Sequence, residues 1–161
     1  MTYDLIKIQK SVKNCVDTFM KEENDIFLLE KDVGERAISH RLGLYLQSEF
    51  REMNVDCEYN RKGSKIDPKR FDPKKIKSRP VYPDIIVHRR GDDSNNILAV
   101  EVKKQGKQGI EYDEIKLKHF TSNGHKYRFG LLLIFYTKKN SKNRPILRWF
   151  SNGMEMKHKF T

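Results

Sequence analysis

Asp84, Glu101 and Lys103 are the residues of this chain whose types and spacing could do chemistry. Residues 81–89 (VYPDIIVHR) and 97–104 (ILAVEVKK) each have strand character, and the polar turn Gly91-Asp92-Asp93-Ser94-Asn95-Asn96 between them predicts a β-hairpin. Across an antiparallel pair, facing residue numbers sum to a constant, here 185 or 187 for a loop centred near residue 93. A sum of 185 sets Asp84 opposite Glu101; a sum of 187 sets it opposite Lys103. Either register puts the three on one face, with Ile86 and Ala99, because side chains two apart point the same way. Val100 and Val102 then turn to the other face, into apolar packing. Two carboxylates on one patch repel and need compensation. A divalent cation supplies it, since Mg²⁺ takes oxygen ligands, often one or two carboxylates with water and phosphate. Such an ion can polarise a phosphodiester and lower the pKa of a bound water, with Lys103 orienting that water or stabilising charge on the phosphate. The competing reading is a cross-strand ion pair of Lys103 with Asp84 or Glu101 on a solvated sheet face.

The elements that must position these groups are legible in part. Leu5, Ile8, Val12, Cys15 or Val16, and Phe19 recur at helical spacing, which predicts an amphipathic helix over 3–22. A second helix is expected from Val33 to Met53, on Ile38, Leu42, Tyr45, Leu46 and Phe50, with Asn54 at its end. Val55, Cys57 and Tyr59 alternate with Asp56, Glu58 and Asn60, a half-buried strand. After the hairpin, residues 110–122 read as a helix with Ile110, Ile115, Leu117 and Phe120. Residues 128–137 (RFGLLLIFYT) form a near-continuous apolar run, which predicts a central strand covered on both faces. Residues 146–150 suit an edge strand. The expected class is α/β: one mixed central sheet flanked by helices.

The pair Pro83-Asp84, sixteen residues, then Glu101-Val102-Lys103 resembles the signature of the PD-(D/E)xK nucleases, the restriction-endonuclease-like superfamily. The resemblance extends to element order. It implies an αβββαβ core over residues 33–137, with the motif aspartate on the second core strand and the ExK on the third. Residues 1–30 would then be an N-terminal helical extension and 138–161 a C-terminal strand and tail of a single nuclease domain, 1–161. It further implies a Mg²⁺- or Mn²⁺-dependent nuclease acting on DNA in preference to RNA. Asp84 and Glu101 would bind the metal, with the Val102 carbonyl as a further ligand, and Lys103 would position the attacking water. The superfamily often adds a glutamate on the first core helix, where Glu35 would bind a second metal or its water shell. A polar residue of the helix after the ExK strand sometimes helps, and Lys116 is the candidate here; a solvated helix lysine is the plainer reading. Cleavage of both strands by one site per chain would need a homodimer. A non-catalytic nucleic-acid-binding module on the same fold and an RNA-directed nuclease remain as alternatives.

Glu35 has two readings of its own. In Asp32-Val33-Gly34-Glu35 it could close a capping box by bonding back to the helix start. Yet it lies three and seven residues before Ile38 and Leu42, so it projects from the inward face, where a glutamate needs a partner.

Charge points to a polyanionic partner such as nucleic acid, or to an anionic membrane surface; the plainer reading is a merely basic, soluble protein. The net charge is +11. Residues 60–80 hold nine Lys or Arg against two Asp, and so supply +7 of it. Arg61, Lys62, Lys65, Lys69, Arg70, Lys74 and Lys75 would grip phosphates from a loop joining the first strand to the one carrying Asp84, with little base reading. The alternative is a solubilising loop. Tyr59, Phe71 and Tyr82 could stack on bases, and Lys138, Lys139, Lys142 and Arg144 form a second basic cluster expected at a hairpin turn. The longest apolar run, Gly130 to Tyr136, is strand-sized, so no membrane span is expected. The N-terminus lacks a cationic start followed by an apolar stretch. With Cys15 and Cys57 as its two cysteines and no CxxC pair, a cytoplasmic protein with reduced thiols is expected. His40, His88 and His125 show no metal-ligand spacing and read as ordinary polar or surface residues. No Ser/Cys/His triad or phosphate-binding glycine loop is present.

Overall fold

Helix α1 (Leu5–Phe19) begins where the Asp4 carboxylate accepts from the Lys7 backbone N–H at 2.8 Å, a side-chain N-cap. Its apolar stripe of Ile8, Val12, Cys15, Val16 and Phe19 is buried, as the spacing predicts. The structure, a computed structural model, describes residues 3–59, 70–71, 79–122 and 126–157. A short helix α2 (Glu23–Glu30) follows that the sequence pattern did not announce. It is tied down by tertiary contact: buried Asp25 takes Arg41 Nε at 2.7 Å and the Tyr45 hydroxyl at 2.5 Å, both from α3 (Glu35–Glu49). The latter helix is shorter than expected at both ends, and Asn54 starts a strand instead of ending the helix.

Strands β1 (Asn54–Cys57), β4 (Ile85–His88), β5 (Leu98–Lys104), β6 (Phe129–Phe135), β7 (Ile146–Ser151) and β8 (Met154–Glu155) form one sheet in the order β1-β4-β5-β6-β7-β8. Between β1 and β4, β2 (Arg70–Phe71) and β3 (Arg79–Pro80) make a separate two-stranded pair. All neighbours in the large sheet are antiparallel except β5 and β6, which are parallel, so the sheet is mixed. A parallel pair needs a crossover, and α4 (Ile110–Thr121) provides it. The apolar run of β6 is central and buried on both faces as expected, while β7 is not the edge because β8 pairs outside it.

Two cores result. Ile85, Val87, Val100, Val102, Leu131 and Leu133 pack against α1 and α3 on one face. Ile86, Ala99, Leu132, Ile134 and Phe150 pack against Leu117 and Phe120 of α4 on the other. The alternation of β4 and β5 decides which residues meet which helix. Val100 and Val102 go to the α1/α3 side, and Glu101 and Lys103 are left facing α4.

Candidate active site

The site is made by a strand that stops early. The expected strand 81–89 is ordered as a strand over Ile85–His88 alone, after Pro83, which has no N–H to give a ladder. The register Ile85↔Val100 realises the sum of 185, so Asp84 lies opposite Glu101. Beyond that point β5 runs on to Lys104 without β4 beside it. The N–H groups of Val102 and Lys104 on that open edge would be orphaned. Carboxylates take the place of the absent strand: Asp84 Oδ2 accepts from the Val102 N–H at 2.7 Å, and Glu35 Oε1 accepts from the Lys104 N–H at 3.1 Å. In a regular strand the N–H and C=O of one residue leave on the same edge, so the Val102 carbonyl also faces this opening.

Glu35 is the first residue of α3 and forms no capping box; Gly34 is the N-cap and makes no side-chain cap. Its other oxygen, Oε2, lies 3.3 Å from the Lys103 ammonium. The carboxylate of Asp32 pairs instead with Lys104 Nζ at 2.7 Å. Glu35 is therefore inward, as its spacing to Ile38 and Leu42 required.

On the α4 face, Glu101 is 1% exposed. Its Oε2 accepts from Lys116 Nζ at 2.6 Å, while its Oε1 is buried with no hydrogen-bond partner among the described residues. Lys116 is itself buried and also meets Asp113 Oδ1 at 2.9 Å. It is thus not a solvated helix lysine, and its ammonium lies within the carboxylate cluster instead of facing outward toward a phosphate. The other oxygen of Asp113, Oδ2, lies 3.1 Å from Lys103. Asp113 escaped the reading of the sequence, although a signal existed: with Leu117 and Phe120 it shares the inward stripe of α4, where an acid needs a reason.

Counted as ionised, Glu35, Asp84, Glu101 and Asp113 face Lys103 and Lys116, four negative charges against two positive, a formal −2. Burial, and then the neighbouring Asp84 charge, pushes the Glu101 carboxyl well above its ordinary range. Burial likewise raises Asp84 against the opposing Val102 hydrogen bond. For Lys103 and Lys116 burial alone would lower the ammonium, but the acids around them outweigh it and raise both. Among the described residues, no three His, Cys, Asp or Glu side chains are grouped closely enough to cage a metal ion by themselves. Asp84 and Glu101 are two carboxylates, the number Mg²⁺ commonly takes from protein alongside water and phosphate.

The remaining expected residues fall elsewhere. Arg61, Lys62, Lys65, Lys69, Lys74, Lys75 and His125 lie outside the described residues; Arg70 and Phe71 form β2. Lys138, Lys139, Lys142 and Arg144 are exposed in the β6–β7 hairpin turn, as expected. That turn is at the same end of the sheet as Lys103, since Lys104 pairs with Phe135, and Lys138 approaches Asp32 at 3.5 Å. Tyr82 is exposed, and the Tyr59 ring packs 4.8 Å from that of His88. His40 is exposed, whereas His88 is an ordinary buried polar residue and not a surface one, at the other end of β4 from Asp84, with Nε2 2.8 Å from Asp56. Both cysteines are free thiols. Set against models of known protein families and against curated proteins, the chain matches none.

Proposed function

We propose that this chain is a metal-dependent nuclease of the PD-(D/E)xK, restriction-endonuclease-like kind, hydrolysing phosphodiester bonds of DNA. One observation carries the reading: Asp84, just before β4, and Glu101, on β5, sit together at an open sheet edge, with Glu101 Oε1 buried and without a hydrogen-bond partner among the described residues, two residues from Lys103. The order α3, β1, β4, β5, α4, β6 agrees with the αβββαβ core that the motif implies.

Asp84 and Glu101 would hold Mg²⁺ or Mn²⁺, with the Val102 carbonyl on the same edge. A cation there supplies Lewis acidity toward a phosphate oxygen and a lowered pKa for water. Asp84 presents its carboxylate in a fixed orientation because the Val102 N–H clamps Oδ2. Lys103, its ammonium held charged between Glu35 and Asp113, would orient water and offset charge growing on the phosphate. Glu35, at the margin beside Lys103, can reach the hydration shell of the ion or a second ion. The basic segment 60–80 and the β6–β7 turn supply the attraction for a polyanion.

The test is cleavage of supercoiled plasmid, linear duplex, single-stranded DNA and single-stranded RNA with Mg²⁺ or Mn²⁺, by native and Lys103→Ala chains. DNA cutting that needs the metal and falls about 10²-fold or more in the variant supports the reading. Preference for RNA redirects the substrate. Binding without cleavage by the native chain, or equal cutting by both chains, overturns it.

A further inference from the structure

We propose that Asp113 is a positioning residue of this site, a shared counter-ion that fixes the two ammonium groups of Lys103 and Lys116 around Asp84 and Glu101; the inference rests on the nuclease reading. The charges alternate along one connected path: Glu35 to Lys103 at 3.3 Å, Lys103 to Asp113 at 3.1 Å, Asp113 to Lys116 at 2.9 Å, and Lys116 to Glu101 at 2.6 Å. The path joins α3, β5 and α4, and Asp113 is its middle link. Asp113 is 3% exposed and gives one oxygen to each lysine.

A lysine ammonium rides on a flexible four-carbon stem, so its position is set by what holds its end. Lys103 has two such holds, Glu35 and Asp113, and of these Asp113 is the buried one. Without that charge the Lys103 ammonium is drawn toward the nearby Asp84 and Glu101, the carboxylates needed by the cation. Asp113 is itself held firmly. It sits in the first turn of α4, whose Leu117 and Phe120 are fully buried beneath the sheet. A plain helix-dipole role for a first-turn acid would leave the carboxylate at the helix start. Here both its oxygens are turned to lysines from β5 and from the next turn of α4. A stabilising role is also a weak explanation, because buried ion pairs seldom repay their desolvation.

The test compares native, Asp113→Asn, Asp113→Glu and Glu114→Gln chains by DNA cleavage with Mg²⁺ and by thermal unfolding of each. Asp113→Asn should lower kcat about 10- to 100-fold, the scale of a small misplacement of a catalytic group. KM for DNA should stay within about twofold, and half-saturating Mg²⁺ should rise as Lys103 competes for the carboxylates. Asp113→Glu restores the charge with its anchor displaced by a methylene, so its kcat should lie between the two. Glu114→Gln removes a partner of Arg148 from the same helix and should keep native kcat whatever happens to its Tm. Native kcat per folded molecule in Asp113→Asn overturns the proposal, as does a loss that tracks Tm alone. If Asp113→Asn does not fold, Asp113→Glu decides: a kcat several-fold low at unchanged KM supports the role, and a native kcat overturns it. A native chain that cuts no substrate overturns the nuclease reading and this role with it, whereas native cutting with an indifferent Asp113 overturns this role alone.

Discussion

Asp84 accepts one strong backbone hydrogen bond, yet it stands beside a second buried carboxylate, and that proximity weighs on the metal-free fold. Its folded-state pKa is raised, first by burial. A raised acid contributes its stability below the unfolded pKa of about 4 and loses it as pH climbs through the folded value. Asp84→Asn keeps an oxygen to accept from Val102 and removes the charge. In EDTA the variant should therefore be the more stable chain at pH 7–8, by about 1 kcal/mol, and the gap should close as pH falls toward 4. Denaturant midpoints of both chains across that range are the measurement; a gap independent of pH would refute the assignment. The same variant should lose cleavage, a trade of activity for stability expected where like charges are assembled for function.

At the scale of elements, α4 delivers Asp113 and Lys116, and its seat depends on a missing side chain. A Cβ on Gly130 of β6 would come within 3.1 Å of Leu117, 3.2 Å of Thr121 and 3.3 Å of Phe150. Gly130→Ala therefore requires Leu117, Thr121 and Phe150 to give by a few tenths of an ångström, which presses α4 and β7 away from β6. It should cost about 1–3 kcal/mol by urea unfolding. It should also lower cleavage more than the folded fraction accounts for, because the helix carries two of the five members of the lysine–carboxylate path. Activity that simply followed the folded fraction would mean that the helix can shift without disturbing the site. The early end of β4 matters equally. Had it continued, the β5 edge would be paired, and Asp84 and Glu35 would have no N–H groups to seize.

For the whole molecule, the proposed nuclease function makes charge decide the encounter with DNA. The net +11 is concentrated in residues 60–80, and exposed lysines of the β6–β7 turn stand at the same end of the sheet as Lys103. If about four cations reach phosphates, affinity of the Asp84→Asn chain for a short duplex should fall on the order of 10²-fold between about 50 and 200 mM salt. Replacing Arg61, Lys62 and Lys65 together by Ala should flatten that slope, as read by fluorescence anisotropy. A slope near zero would exclude phosphate contact as the source of affinity. Among the described residues no helix is long and apolar enough to cross a membrane.

The amino-acid order alone determined the hairpin, its register to within two choices, and the face shared by Asp84, Glu101 and Lys103. Those follow from the period of two in a strand, a local rule that needs no tertiary knowledge. Helices α1, α3 and α4 were legible from apolar periods long enough to read, and the central strand β6 from a near-continuous apolar run. Helix α2 was not, because what holds it is Asp25 meeting Arg41 and Tyr45 from α3. The tertiary structure alone decided that Lys116 is buried, that Asp113 joins the site, and that Glu35 clamps a backbone N–H instead of capping its own helix. Each depends on which group stands across a gap between elements distant in sequence. Local periodicity marks Glu35 and Asp113 as turned inward, but which groups they meet across those gaps is fixed by packing.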